Sequence, residues 1–178
     1  MKITPLKIPE IQVIQPQVFK DERGFFYESF NQNKFNLLIG RSVLFVQDNR
    51  SRSSKNVLRG LHFQTQNPQA KLIQVTHGSI FDVAVDIRKG SITFGQYIGI
   101  ELSANNKMQL WIPEGFAHGF LVLSEFAEVQ YKVSDYWSPE SEKCLLWNDS
   151  KLNIEWPIKS KPIISKKDSI GIFFDEIK

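Results

Sequence analysis

The sequence is short of the features that define several classes of protein. One cysteine, Cys144, occurs in 178 residues, so no internal disulfide and no cysteine zinc cluster can be built. There are three histidines, His62, His77 and His118. No apolar run approaches the roughly 20 residues that a membrane helix needs. The opening Met1-Lys2-Ile3-Thr4-Pro5 lacks the continuous apolar stretch of a signal peptide. These absences predict a cytoplasmic protein with no membrane partner. A formal charge of +3 is too small to argue for nucleic acid, although it leaves room for a locally basic pocket that takes a phosphate. No repeat, low-complexity tract or linker divides the chain, and its length predicts one domain over residues 1–178.

What is plentiful is aromatic. The chain carries 14 Phe, 4 Trp and 4 Tyr, which suits a β-rich core and leaves rings for stacking on a planar ligand. Most apolar runs lie between Gly and Pro breaks and are too short for helices. Residues 57–63, 72–75, 80–87, 94–102, 107–112, 119–123 and 127–133 read as strands. Asp82, Ala84 and Asp86 alternate with Phe81, Val83 and Val85, a period of two. His77-Gly78-Ser79 is a plausible turn. Only residues 33–39 and a few turns near the C-terminus look helical. The pattern predicts an all-β sandwich or barrel with a few short peripheral helices. Pro139, Pro157 and Pro162 break up the final forty residues, which are expected to wrap the sandwich rather than extend its sheets.

His118 lies in Pro113-Glu114-Gly115-Phe116-Ala117-His118, which resembles the second motif of cupins, where a turn delivers a histidine into a jelly-roll barrel. The first cupin motif needs His-x-His and a later Glu. Here His62 is followed by Phe63 and Gln64, and residues 66–74 contain no glutamate. Two ligands of the usual four make a poor site for zinc, iron or manganese, so the expectation is a pocket without metal. A strand histidine taken alone is most simply structural, and His77 in its turn is read that way. His62 is different because Arg59, Lys71 and Asp82 stand on neighbouring predicted strands. Burying such ions unpaired costs several kcal/mol each, so their company points to a polar pocket with anionic contents.

Five segments together carry a more specific resemblance. They are Asp21-Glu22-Arg23-Gly24-Phe25-Phe26-Tyr27-Glu28-Ser29-Phe30, Phe45-Val46-Gln47-Asp48-Asn49, Val57-Leu58-Arg59-Gly60-Leu61-His62, Phe81 through Arg88, and Trp111 through Leu121. In this order the chain resembles the dTDP-4-dehydrorhamnose 3,5-epimerases from Phe19 to about Asp168. The resemblance implies a cupin jelly roll, a homodimer, and inversion of C3 and C5 of dTDP-4-dehydro-6-deoxy-D-glucose with no cofactor, in the supply of dTDP-L-rhamnose for cell-surface polysaccharide. Both carbons flank the C4 ketone, so their protons become acidic once the enolate is stabilised. Inversion then needs a base on one face and an acid on the other.

By the same resemblance His62 is the base and Asp168 its carboxylate partner, Tyr131 is the opposing acid, and Lys71 places charge beside the enolate oxygen. His118 contributes binding or orientation. Arg23, Glu28, Gln47, Asp48 (through its backbone), Asn49 and Arg59 match positions that contact thymidine and diphosphate, with Arg23 and Glu28 supplied by the partner subunit. Glu142 and Lys167 match further substrate contacts. Trp137 stands where the family usually has a tyrosine that stacks on thymine, and Ile92 where proline is common. The alternatives left open are a C3-only epimerase, a ketoisomerase of a related dTDP-4-keto sugar, a non-catalytic sugar-nucleotide-binding cupin, and a metal-dependent cupin oxygenase.

Overall fold

A computed structural model describes residues 1–177. Thirteen strands dominate: Lys2–Pro5 (β1), Gln12–Gln15 (β2), Phe19–Asp21 (β3), Gly24–Phe26 (β4), Gln47–Ser54 (β5), Leu58–Gln64 (β6), Lys71–His77 (β7), Ser79–Asp86 (β8), Tyr97–Ser103 (β9), Gln109–Ile112 (β10), Phe116–Val122 (β11), Phe126–Val133 (β12) and Glu142–Cys144 (β13). They form an antiparallel six-stranded sheet in the order β1-β2-β10-β7-β12-β5, a five-stranded sheet in the order β13-β6-β11-β8-β9, and the β3-β4 hairpin. Helices are confined to Gln32–Ile39 (α1), Lys166–Ser169 (α2) and a 3-10 turn at Phe174–Glu176. This is the all-β jelly-roll architecture expected. Among the described residues no helix is long and apolar enough to cross a membrane.

The core lies between the two large sheets. Ile73, Val75, Leu110 and Val129 from the six-stranded sheet meet Ile80, Ala84, Leu102, Phe116 and Phe120 from the five-stranded one. Each sheet also has its outer face covered. On the six-stranded sheet, Leu72 and Trp111 pack under Phe35 of α1, whose ring is 5.2 Å from the indole. Asn31 caps that helix by accepting the Lys34 N–H, and Gly40 ends it at φ +69°. On the five-stranded sheet, Leu61, Val83, Val85 and Ala117 lie beneath Leu145, Leu152, Trp156, Ile172 and Phe174. The alternation of β8 therefore separates two buried faces, not a wet one from a dry one. Its polar positions are inward and paired: Asp82 with His118, and Asp86 with Arg88, Ser91 and Thr93.

Several boundaries differ from the sequence reading. The strand expected from residue 94 begins at Tyr97, because Ser91 to Gly95 forms a turn in which Gly95 sits at φ +80°. That expected from 107 begins at Gln109, after Lys107 at φ +54°. Strands β1 to β5 were not expected. β5 reads Gln-Asp-Asn-Arg-Ser-Arg-Ser-Ser and contains no apolar residue, so hydrophobic periodicity is silent there. The C-terminal segment also does more than wrap: β13 adds to the five-stranded sheet, pairing Glu142 with Gln64 and Cys144 with His62.

Candidate active site

Strand alternation carries the core face of the sandwich into a cavity of about 370 Å³ at one end. In β7 the side that buries Ile73 and Val75 also presents Lys71. In β12 the side that buries Ala127 and Val129 presents Tyr131. β5 contributes Gln47, Asn49 and Ser51 at every second position, with Asp48, Arg50 and Arg52 facing out. The facing sheet supplies Arg59 and His62 from β6, His118 from β11 and Glu142 from β13, and Trp137 and Lys167 complete the lining.

His62 and His118 are directly opposite across β6 and β11. Two glycines let these strands meet. A Cβ on Gly60, whose φ is +110°, would lie 2.6 Å from both Gly119 Cα and His118 O, and one on Gly119 would lie 2.5 Å from Arg59 O. Backbone cannot yield cheaply at either point. Gly60→Ala is therefore expected to cost about 3 kcal/mol of stability, read by urea denaturation; a loss below about 1 kcal/mol would contradict this close approach.

Each histidine is held by a carboxylate. His62 Nε2 is 2.8 Å from Asp168 Oδ1, and Asp168 Oδ2 accepts the Gly60 N–H at 3.2 Å. Burial would raise the Asp168 carboxyl, yet the bonds from His62, Gly60 and Ser165 hold it below its ordinary value. An ionised carboxylate only accepts, so in the neutral ring the proton sits on Nε2 and Nδ1 is the basic nitrogen. His118 Nε2 lies 3.0 Å from both oxygens of the fully buried Asp82. Burial lowers the His118 pKa in spite of Asp82, which favours the neutral ring.

Lys71 is almost fully buried, and desolvation brings it down to about 8 against the opposing pull of Asp82 and Glu142. Its ammonium lies 3.5 Å from the His62 carbonyl oxygen. Burial, then Glu142, pushes the Tyr131 phenol above its ordinary value, so it keeps its proton at neutral pH. Arg59 Nε donates to Ser53 Oγ at 2.8 Å. Gln47 accepts the Trp137 backbone N–H and donates to Asn49. Glu142 accepts from the Trp137 indole and from Lys167.

Three of the expected residues stand apart from the cavity in the isolated chain. Asp48 faces the opposite side of β5, its carboxylate on Lys132 at 3.0 Å, because strand alternation turns it away. Arg23, in the β3-β4 hairpin, pairs with Asp21, and Glu28 pairs with Lys34. His77 stacks on Phe126 at 4.2 Å and takes no part. Sequence reasoning missed Ser51, Gln64 and Gln69, which line the cavity from β5, β6 and the following loop. The period-two Gln47-Asn49-Ser51-Ser53 pattern held the signal for Ser51, but only once that run is known to be a strand. Cys144 was also unexpected here. Its thiol, His62 and Asp168 offer donor atoms within 4.8 Å of one another, and burial pushes the thiol up to about 12.

A jelly roll of cupin type with paired imidazole–carboxylate groups, a phenol and three cations around one cavity defines an acid–base pocket for an anionic ligand. Residues 5–176 match the family described as dTDP-4-dehydrorhamnose 3,5-epimerase. Curated proteins of that name are 57% identical over 99% of this chain and 97% of their own length in Salmonella typhimurium, and 56% identical over 98% and 96% in Pseudomonas aeruginosa. A Legionella pneumophila dTDP-6-deoxy-D-glucose-3,5-epimerase, solved with dTDP-4-keto-L-rhamnose, is 50% identical, with a TM-score of 0.97 over 99% of this chain and 94% of that one. The chain belongs to the dTDP-4-dehydrorhamnose 3,5-epimerase family, and the isomerase-class enzyme expected from its motifs is borne out.

Proposed function

We propose that this chain inverts C3 and C5 of dTDP-4-dehydro-6-deoxy-D-glucose by enolate chemistry, giving dTDP-4-dehydro-L-rhamnose. The observation that carries the reading is the placement of an imidazole and a phenol on opposite sheets around one cavity: His62 on the five-stranded sheet, Tyr131 on the six-stranded one. A sugar ring held between them has a base on one face and an acid on the other. His62 Nδ1 removes the proton next to the ketone, and Asp168 stabilises the imidazolium that forms. The Lys71 ammonium offsets the negative charge developing on the C4 oxygen. Tyr131 donates its proton to the opposite face of the same carbon; His62 then releases a proton and Tyr131 regains one through solvent. Incubation with the substrate and NMR of the product tests this. Inversion at both carbons is expected, whereas inversion at C3 alone would assign a single epimerase.

The nucleotide reading rests on Gln47, Asn49, Arg59, Lys167 and the exposed indole of Trp137. The guanidinium fork of Arg59 and the Lys167 ammonium suit diphosphate, and the indole suits a pyrimidine face. His118, tied to Asp82, orients the sugar, and Asp48 contributes through its backbone. The chemistry needs no metal; a metal held by His62, Cys144 and Asp168 would make turnover sensitive to chelator.

A homodimer belongs to this reading. The β3-β4 hairpin exposes Phe19, Phe25 and Phe26 and carries Arg23 away from its own cavity, which suits delivery of Arg23 and Glu28 to a partner's site. Arg23→Ala and His62→Ala chains, each inactive, are expected to recover up to about a quarter of wild-type activity when refolded as an equal mixture. Half the dimers are then mixed, and each has one complete site. No recovery would place Arg23 outside the partner's site.

Lys71 also sets a pH dependence. Its charge is present below about 8 and is lost as pH rises through that value, so kcat is expected to fall on the alkaline side near pH 8. Tyr131, pushed above its ordinary value, remains protonated there. Between about 8 and the ordinary 10.5 the unfolded chain binds the proton that the folded chain has released, so this lysine's contribution to stability rises with pH as activity falls. A rate profile flat to pH 9.5 would contradict the need for the ammonium.

A further inference from the structure

Glu142, at the start of β13, bonds to two parts of the site at once. Its Oε2 accepts the Trp137 indole N–H at 3.1 Å and also the Lys167 ammonium. Trp137 is an exposed ring at the cavity rim, while Lys167 directly precedes Asp168 in α2, a helix of one turn. So short a helix has little cohesion of its own, and its neighbours set its position. Those neighbours are the Ser165 cap, the Gly60 N–H and His62 at Asp168, and Glu142 at Lys167. β13 braces the turn a second time through Cys144, whose thiol is 3.9 Å from Asp168 Oδ1. The Glu142 side chain is only 14% exposed, so its pair with Lys167 is less screened than an open surface pair. Burial would raise its carboxyl, but Lys167 and Trp137 hold it low and keep it ionised.

We propose that Glu142 is a positioning residue that ties the indole of Trp137 to the Lys167–Asp168 turn, so that a planar base seated on Trp137 sets the carboxylate orienting His62. The inference rests on reading the pocket as a dTDP-sugar site, since the planar base is that nucleotide's pyrimidine. Occupancy of the nucleotide subsite is thereby coupled to the base that reacts with the sugar. The tie runs through the indole N–H: phenylalanine at 137 keeps a stacking face and breaks the link.

The test compares the wild-type chain with W137F, E142Q and the double variant. The measurements are dTDP affinity by calorimetry, kcat and KM on the dTDP-4-keto sugar, and the His62 ring signals by NMR with and without dTDP. Each single change is expected to lower kcat about five- to tenfold with dTDP affinity within about threefold, because orientation and not capture is lost. The double variant should be no slower than the slower single one, since both changes cut the same connection. In the wild-type chain dTDP should shift the His62 ring signals, and in E142Q that shift should shrink by more than half while dTDP still binds. Losses that multiply in the double variant, an unchanged kcat in W137F, or a full His62 shift in E142Q would overturn the proposal. The ring signals separate the two readings. A wild-type chain that binds dTDP and shows the Glu142-dependent shift but does not convert the keto sugar sinks the assigned substrate and keeps the coupling.

Discussion

Alanine in place of His62 is expected to lower kcat by about a thousandfold or more while dTDP affinity stays within a few-fold. Among the described residues the His62 imidazole is the one group in the cavity that is both backed by an ionised carboxylate and open to a ligand, with its side chain 30% exposed. His118 has the same kind of backing but is almost completely buried. The groups assigned to the nucleotide lie on β5, at Arg59 and at the Trp137 rim, and the substitution leaves them in place. Alanine also strips Asp168 of its main partner and leaves a buried carboxylate with the Gly60 N–H and the weaker Ser165 and Cys144 contacts, which costs stability. His62→Asn separates the effects, because its amide can still donate to Asp168 but cannot act as a base. Both variants should be equally slow and the asparagine one more stable. If dTDP binding falls as far as turnover in both, His62 serves capture and not proton abstraction.

Tyr131→Phe should divide the reaction where His62→Ala stops it. Proton abstraction by His62 needs no phenol, so hydrogen at C3 should still exchange with solvent within about tenfold of the wild-type rate. Inversion should fall by about a hundredfold or more, because nothing then delivers a proton from the six-stranded sheet. The ring of Tyr131 packs against the central core, so phenylalanine preserves the packing and removes only the hydroxyl. Exchange and inversion are followed together, by mass spectrometry and NMR. A variant that inverts at the wild-type rate would show that another group supplies the acid.

The parts of the fold and site that were legible in the sequence share a physical basis. Runs such as 80–87 and 127–133 announce strands because their alternation is written in apolar residues; the resemblance of Pro113 to His118 to a cupin motif put His118 in the barrel, and the ions on neighbouring strands put His62 in a polar pocket. β5 was illegible for the opposite reason. It is an edge strand whose inner face lines a polar cavity and whose outer face is exposed, so polar residues occupy both sides. The polar alternation of β8 was legible but carried no direction: its aspartates are buried and its other face is covered by a distant downstream segment that begins at Leu145. Asp168 shows the limit most clearly. It is 106 residues from His62, and no local pattern connects them; the ordered family motifs did. The Trp137–Glu142–Lys167 connection lay beyond both routes, since it depends on β13 joining a sheet that the prolines of the tail gave no reason to extend.

In the proposed reaction one cavity removes and returns protons at both carbons beside the ketone. The most direct measurement is incubation with dTDP-4-dehydro-6-deoxy-D-glucose in deuterium oxide, in the presence of chelator, read by mass spectrometry and by NMR at C3 and C5. One solvent deuterium at each carbon is expected, with both configurations inverted. A product that has lost neither proton, from a chain shown to bind dTDP, would contradict it.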